Sequence, residues 1–153
     1  LVTFKDKSGF YSVKIPKDWK IMESGVRGVS LSSVNIESPD LKVHSIKGEM
    51  DDSIYYDTGV SIHISVSNLV DEDPYKYIGQ YNDLISKKNI EIDGVDGIQY
   101  IFTEPNLVEG QLIGTSVVYK GGRYSFSSGY NPKTYPEGEN VFSDILDSFK
   151  FTK

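Results

Sequence analysis

The sequence predicts an α+β protein, specifically a three-layer α/β/α sandwich around a mostly antiparallel central sheet. Short apolar runs separated by hairpin-length turns require antiparallel neighbours, and two amphipathic stripes predict helices. Several strands, such as 111–120, carry apolar residues on both faces, which favours a sheet covered on both sides. The 153 residues suit a single domain over 1–153, since one core usually serves a chain of less than about 200 residues.

The first half of the chain predicts mainly strands. Two short apolar runs flank the turn residues 6–9 and predict a hairpin, and residues 29–36 predict a further strand. Residues 38–58 are acidic and are predicted to be irregular, apart from a short strand at 41–46. The clearest pattern is the alternation of β-branched and polar residues over 60–67, which predicts a half-buried strand.

The second half begins with a predicted helix. Asp73 can cap its free amides, and Pro74 suits the first helical position. An apolar stripe follows at helical spacing over residues 77–85, and Lys87 and Lys88 suit the negative C-terminal end. The helix is therefore expected to cover one face of the sheet.

A meander and a second helix complete the predicted fold. Gly121-Gly122 predicts a two-residue hairpin loop, because both positions accept a positive φ at little steric cost. Residues 141–146 form a short apolar stripe typical of a helix. The predicted strands of this half are 90–92, 98–103, 111–120, 123–130 and a short closing strand at 149–151.

The composition excludes several classes of protein. The absence of cysteine rules out disulfide scaffolds, thiolate metal sites and cysteine nucleophiles. The net charge of −6 argues against a nucleic-acid partner, which requires a basic face. The charge is uneven along the chain: residues 1–20 carry five lysines and two acids, whereas residues 37–73 carry nine acids and two lysines.

The start of the chain favours export. Leu1 leads almost directly into a strand-like pattern without an initiator methionine, as in a mature domain whose leader and tether have been removed. No apolar run approaches the roughly 18 residues that span a bilayer. We therefore expect an extracellular or cell-envelope location, with membrane contact only through a removed tether such as a lipid anchor.

Three stretches resemble the PsbP-like family, whose fold is shared with the fungal Ran-binding nuclear-import protein and with bacterial lipoproteins. They are residues 10–19 (FYSVKIPKDW), 121–126 (GGRYSF) and 142–151 (FSDILDSFKF). The resemblance implies a non-enzymatic, extracytoplasmic binding or assembly module that acts on an envelope protein. Plant and cyanobacterial members attach to the lumenal face of photosystem II and help retain calcium and chloride, so an accessory role of that kind is an implied alternative.

The sequence contains no recognised catalytic motif. It lacks the Gly-x-Ser-x-Gly elbow, the His-Glu-x-x-His pair and the phosphate-binding glycine loop. A serine–histidine pair stays open, because His63 is flanked on its strand by Ser61 and Ser65, and His44 is the second histidine. We expect no enzymatic activity and no resident cofactor.

Two sets of residues are candidate binding sites. His44 with Asp51, Asp52 and Asp57 could supply oxygen and imidazole ligands to calcium or another divalent cation, although the spacing matches no calcium loop. The second set consists of tyrosines that are expected in loops, where they suit protein contact or cap the edges of the core: Tyr55, Tyr56, Tyr130 and Tyr135. The leading hypothesis is protein binding, and the alternative is a protein that binds a divalent cation or a small ligand.

Overall fold

The computed structural model of the chain describes residues 1–24, 30–68, 84–104 and 106–153. Within those ranges the backbone forms thirteen strands and one helix. They are β1 Val2–Lys5, β2 Tyr11–Ile15, β3 Lys20–Ser24, β4 Ser30–Glu37, β5 Lys42–Ile46, β6 Ser53–Thr58, β7 Val60–Asn68, β8 Leu84–Ile92, β9 Val95–Phe102, β10 Leu107–Val108, β11 Gln111–Tyr119, β12 Gly122–Tyr130, α1 Gly138–Asp147 and β13 Lys150–Phe151.

A seven-stranded antiparallel sheet forms the centre of the protein. Its strands lie in the order β3-β4-β7-β12-β11-β9-β8, and each neighbouring pair is antiparallel. The alternation seen in the sequence places Val60, Ile62, Ile64 and Val66 of β7 on one face, where each is at most 1% exposed. Burying side chains of this kind contributes about 1.5–3 kcal/mol each. The predicted antiparallel sheet and the half-buried strand are confirmed.

The apolar face of this sheet is covered by α1 and by a second sheet with the order β1-β2-β13. Phe149, which follows α1, is fully buried and lies edge-on to Phe126 of β12, with ring centroids 4.9 Å apart. The same ring stacks on Tyr11 of β2 at 5.0 Å. Phe149 therefore joins the central sheet to the layer that covers it.

A third sheet, with the order β10-β6-β5, lies against the opposite face. The hydroxyl of Tyr56 in β6 is 3.1 Å from Oγ of Ser61 in β7, and Ser61 points away from the apolar face that Ile62 occupies. Strands β5 and β6 are antiparallel, whereas β10 and β6 are parallel. In the described parts of the chain the one helix lies on the apolar side, so a helical layer on this second face stays a prediction.

The structure corrects the predicted helix in the middle of the chain. Leu84, Ile85, Lys87 and Lys88 lie in strand β8, which pairs with β9, so none of them belongs to the last turns of a helix. The start of that prediction, residues 73–83, lies outside the described residues. Within the described ranges, no helix is long and apolar enough to cross a membrane.

Two further predictions need correction. Residues 38–58 are not mainly irregular, because they contain both β5 and β6. The late hairpin turns at Lys120-Gly121, since Tyr119 pairs with Gly122 and the two turn residues have φ values of 46° and 77°. The predicted loop was thus one residue too far along the chain.

Candidate functional site

The outer part of the small β10-β6-β5 sheet brings together three of the predicted site residues. His44 of β5 lies opposite Tyr55 of β6, and their rings stack with centroids 4.6 Å apart and planes 1° from parallel. Nδ1 of His44 is 2.6 Å from Oδ2 of Asp57, and both side chains are nearly half exposed, at 48% and 44%. We call His44, Tyr55 and Asp57 the β5–β6 cluster.

Strand β5 itself is unusually exposed for a strand with β-branched residues. All five of its residues are exposed, and Val43 and Ile46 keep 48% and 55% of their surface accessible. In the sheet order β5 is terminal, so within the described chain its outer edge pairs with no strand. Such an edge presents unpaired N–H and C=O groups that can pair with another chain.

The structure does not assemble the predicted metal site. Asp51 and Asp52 lie in the connection between β5 and β6 and are exposed, whereas His44 and Asp57 face each other. Over the described ranges, no group of three or more His, Asp or Glu side chains lies close enough to hold a metal ion. Two of the four predicted ligands therefore meet, and two do not.

The other predicted tyrosines differ in how much surface they offer. Tyr56 is half-buried, and its ring lies over Gly129, where an added Cβ would be 2.5 Å from the tyrosine oxygen. Tyr130 is only 2% exposed, and Nε2 of Gln111 donates a hydrogen bond to its hydroxyl at 3.1 Å. Burial also raises the pKa of Tyr130 to about 12. Tyr130 is therefore a core residue, which corrects its predicted place on a contact surface.

Tyr135 is half-buried and packs against the core before α1. Burial raises the pKa of its hydroxyl, and the charges of Glu137 and Asp40 add to the effect. The alternative for the tyrosines, that they cap the edges of the core, therefore describes the half-buried Tyr135 better than it describes the fully buried Tyr130. Tyr55 is also half-buried, but its ring stacks on the exposed side chain of His44.

His63 sits on the polar face of the central sheet with two neighbours from β4. Its Nδ1 is 2.7 Å from Oδ1 of Asn35, and its Nε2 is 3.4 Å from Oγ of Ser33. Burial lowers the pKa of His63, so the imidazole favours its neutral form. The set of Ser33, His63 and Asn35 resembles a nucleophile, a base and the group that orients the base.

The contact between Ser33 and His63 is long, and Ser33 lies within the central sheet. The 3.4 Å separation from His63 exceeds the roughly 2.6–3.2 Å expected between a nucleophile and its base. Strand β4 lies between β3 and β7, and Ser33 pairs with Ser24 of β3 and with Ser65 of β7. The arrangement is therefore a polar contact that holds β4 and β7 in register.

The exposed apolar residues of β5 were missed at the level of sequence. Residues 41–46 were predicted only to form a short strand, and β-branched residues ordinarily indicate burial. No local pattern shows that a strand will lie at the edge of a sheet. The nearby acids were the one available signal of solvent exposure.

Comparison with known proteins gives a fold and no closer relationship. No family model matches the chain, and no curated protein matches it. The solution structure of cyanobacterial PsbP (CyanoP) from Synechocystis sp. PCC 6803 matches with a TM-score of 0.58 and 14% identity, over 98% of this chain and 91% of that chain. A crystal structure from Bacteroides thetaiotaomicron VPI-5482 matches with a TM-score of 0.60 and 11% identity, over 99% of this chain and 48% of that chain.

The two matches agree with the residues that carried the resemblance in the sequence. The opening hairpin, the late hairpin β11–β12 and the terminal helix with β13 all occur in the expected order. At these identities the likeness concerns the path of the backbone and not the chemistry of any site. The chain therefore has the PsbP-like fold.

Proposed function

We propose that this chain is a non-enzymatic, extracytoplasmic PsbP-like module that acts by protein–protein contact, and that strand β5 with the β5–β6 cluster is its binding surface. The observation that carries the proposal is the exposed terminal strand β5, with Val43 and Ile46 about half accessible. The proposed extracytoplasmic location rests on the resemblance of residues 10–19, 121–126 and 142–151 to the PsbP-like family, whose fold the chain shares. In this proposal residues 1–153 form one module. A helix adds to the small β10-β6-β5 sheet over the second face of the central sheet.

An exposed strand edge favours one particular mode of binding. An extended segment of a partner can add to β5 as an extra strand, so that main-chain hydrogen bonds supply affinity. Val43 and Ile46 then lose their contact with water, which adds the hydrophobic contribution of about 25 cal/mol per Å² buried. The stacked ring of Tyr55 offers a rigid area at low entropic cost.

The charge of this region selects the partner segment. Residues 40–57 carry five acidic and two basic side chains. Strand β8, which is also terminal in its sheet, carries two lysines, Lys87 and Lys88, whereas β5 carries one, Lys42, and lysines on an edge discourage pairing. We therefore infer that the partner presents an extended segment with lysine or arginine alternating with apolar residues.

A synthetic peptide of alternating Val and Lys residues tests the proposal. It should bind saturably at low salt and shift the backbone amide signals of β5 in ¹H–¹⁵N spectra. The same peptide with Pro replacing the central Val should bind weakly because it lacks a donor, and a Val–Glu peptide should not bind.

Matched variants locate the surface. Val43→Lys with Ile46→Lys should abolish peptide binding, whereas Val2→Lys with Ile85→Lys makes the same chemical change at two other exposed apolar residues and should leave binding intact. Equal binding by both double variants, or amide shifts on β8 instead of β5, would show that the surface is wrong.

A protein that binds a divalent cation is the second candidate, and the 2.6 Å approach of His44 to Asp57 favours it. This alternative predicts that calcium, manganese or zinc raises the melting temperature of the protein by mass action. The substitution Asp57→Asn should then remove this rise in melting temperature. No thermal shift at millimolar metal, together with peptide binding at β5, would exclude this alternative.

A further inference from the structure

A cleft of about 330 Å³ lies where the β11–β12 turn meets Phe10 and the C-terminal residue of the chain. Its buried lining includes Val66 and Tyr124, and its half-buried lining includes Phe10 and Tyr119. The volume lies at the lower end of the range of about 300–1,000 Å³ that is usual for ligand pockets. The cleft therefore suits one small molecule.

The aromatic part of the lining is held in place by further ring contacts. Tyr119 stacks on Phe151 with centroids 4.1 Å apart, and Tyr124 meets the same ring edge-on at 4.9 Å. Aromatic contacts of this kind contribute about 0.5–1.5 kcal/mol beyond their buried area. The walls are thus positioned before any ligand arrives, which reduces the entropic cost of binding.

Two lysines lie at the aromatic walls. Nζ of Lys120 is 5.3 Å from the ring centroid of Tyr119, and Nζ of Lys153 is 4.4 Å from that of Phe10. In the described chain the ammonium groups of Lys7, Lys133 and Lys150 each have a carboxylate within 4.0 Å, but those of Lys120 and Lys153 have none. A cation–π contact at an exposed site contributes only about 0.5–1 kcal/mol, so both ammonium groups can still bind an anion.

The polar groups around the cleft favour a negative charge in it. No Asp or Glu belongs to its described lining. Burial raises the pKa of Tyr124, with smaller effects from Tyr119 and Asp6, so its hydroxyl stays neutral and can donate. Asp6 lies outside the lining and already accepts hydrogen bonds from Ser32 Oγ and the amide of Phe10.

The net charge of the protein does not prevent anion binding here. The Debye length is about 8 Å at physiological ionic strength, so exposed charges farther away are largely screened. The two lysines are the charged side chains of the described lining, so the overall charge of −6 does not decide which ion the cleft attracts.

We propose that this cleft binds a small aromatic monoanion, whose ring packs against Phe10 and Tyr119 once the ammonium groups of Lys120 and Lys153 move off those rings to hold its anionic group. The aromatic walls select a planar ring, and the two ammonium groups select a single carboxylate or sulfonate. This site is separate from the β5 surface in its residues and in the chemistry that it recognises.

Titration with 2-naphthoate tests the proposal, with 2-naphthalenemethanol as the neutral analogue and 2-naphthylmethylammonium as the cationic one. The carboxylate should shift the amide signals of residues 119–122 saturably. The neutral analogue should bind at least about tenfold more weakly, which corresponds to about 1.4 kcal/mol, and the cation should not bind.

Matched lysine variants complete the experiment. Lys120→Asn with Lys153→Gln should weaken naphthoate binding about tenfold or more. Asn is chosen because residue 120 has a positive φ of 46°, a conformation that Asn tolerates. Lys17→Asn with Lys20→Gln changes the net charge equally at two exposed lysines outside the cleft lining and should have no more than about a twofold effect.

Three results would overturn the proposal. They are no saturable shift at millimolar naphthoate, equal affinity for the alcohol and the carboxylate, or equal loss of binding in both lysine variants. None of these results tests the proposed protein-binding function. That proposal would fail if the Val–Lys peptide left the amide signals of β5 unchanged.

Discussion

The imidazole of His44 and the phenol of Tyr55 lie parallel, with ring centroids 4.6 Å apart, across the exposed strand β5 and the half-buried strand β6. The neighbouring tyrosine, Tyr56, points the other way and is held over Gly129 and beside Ser61. Two adjacent residues of the same type therefore have opposite tasks: Tyr55 presents a surface, and Tyr56 fastens the small sheet to the central one.

This difference predicts unequal effects of the same substitution. Tyr55→Ala should lower the free energy of unfolding by about 1 kcal/mol or less, the size of one aromatic contact. Tyr56→Ala should cost about 2 kcal/mol or more, because it leaves a cavity between two sheets. Urea unfolding followed by circular dichroism measures both, and a larger loss for Tyr55→Ala would contradict the assignment of the two roles.

Two glycines with the same backbone conformation separate strain from crowding. Gly59 and Gly94 have φ values of 78° and 81°, so alanine at either position costs about 1–2 kcal/mol in strain. A Cβ on Gly59 would also lie 2.6 Å from Cα of Leu41 and from Oγ of Ser38, whereas a Cβ on Gly94 would meet nothing within 4 Å.

We expect Gly59→Ala to destabilise the protein by about 1–3 kcal/mol more than Gly94→Ala, the usual cost of overpacking. Both values come from chemical denaturation at one temperature. Equal losses would mean that the contact of residue 59 with the backbone of Leu41 is looser than the structure indicates.

His63 predicts how stability depends on pH in mildly acidic solution. Burial lowers its pKa in the folded protein below the ordinary value of 6.5. Between these two values the unfolded chain binds more protons than the folded one, so the free energy of unfolding falls as the pH falls through that window. Below the folded pKa both states are protonated, and this contribution changes no further.

Urea midpoints of the wild type and of His63→Gln at pH values from 7.5 to 5 test this linkage. The variant should show a shallower decline, because glutamine has no proton to gain. Parallel pH profiles would contradict the assigned role of His63, whatever the absolute stability of the variant.

Phe149 is the residue at which the layers of the core meet. It is fully buried and contacts Tyr11, Phe126 and Phe151 at centroid distances of 4.9–5.1 Å. Phe149→Ala should cost about 3–5 kcal/mol, and Phe149→Leu, which keeps more of the volume, should cost distinctly less. A loss below about 1 kcal/mol for the alanine variant would contradict this central role.

Local patterns in the sequence predicted most of the central sheet. The alternation over 60–67 and the turn signal at Gly121-Gly122 identify strands by interactions between near neighbours. The opening hairpin and the terminal helix were predicted for the same reason. Even so, the register of the late hairpin was displaced by one residue, because a turn of two residues can be centred on Lys120-Gly121 as well as on Gly121-Gly122.

The predictions that were wrong concern residues whose structure depends on contacts with residues far away in the sequence. Lys87 and Lys88 favour a helix by intrinsic propensity, but in the fold they pair with Tyr100 and Gln99 of β9, and sheet pairing overrides propensity. Tyr130 is the last residue of β12 and precedes a proline-containing loop, yet α1 packs Gly138 against its ring. The residues next to Tyr130 in the sequence do not predict this contact.

The candidate sites show the same limit. His44 and Asp57 are 13 residues apart in the sequence, and only their residue types and rough proximity suggested a common site. The structure brings these two side chains together but does not add Asp51 or Asp52 to them. Phe10 and Lys153 line one cleft although almost the whole chain separates them. Only the folded backbone brings such residues together.

The pairing of β13 with β2 has a consequence for how the protein is made. Phe151 pairs with Tyr11, and the amide of Thr152 donates to the carbonyl of Phe10. Contacts of such long sequence separation slow folding. During synthesis the first hairpin must therefore wait, with its apolar side uncovered, until residues 150–152 have left the ribosome, and a chaperone that shields this hairpin would raise the yield of native protein.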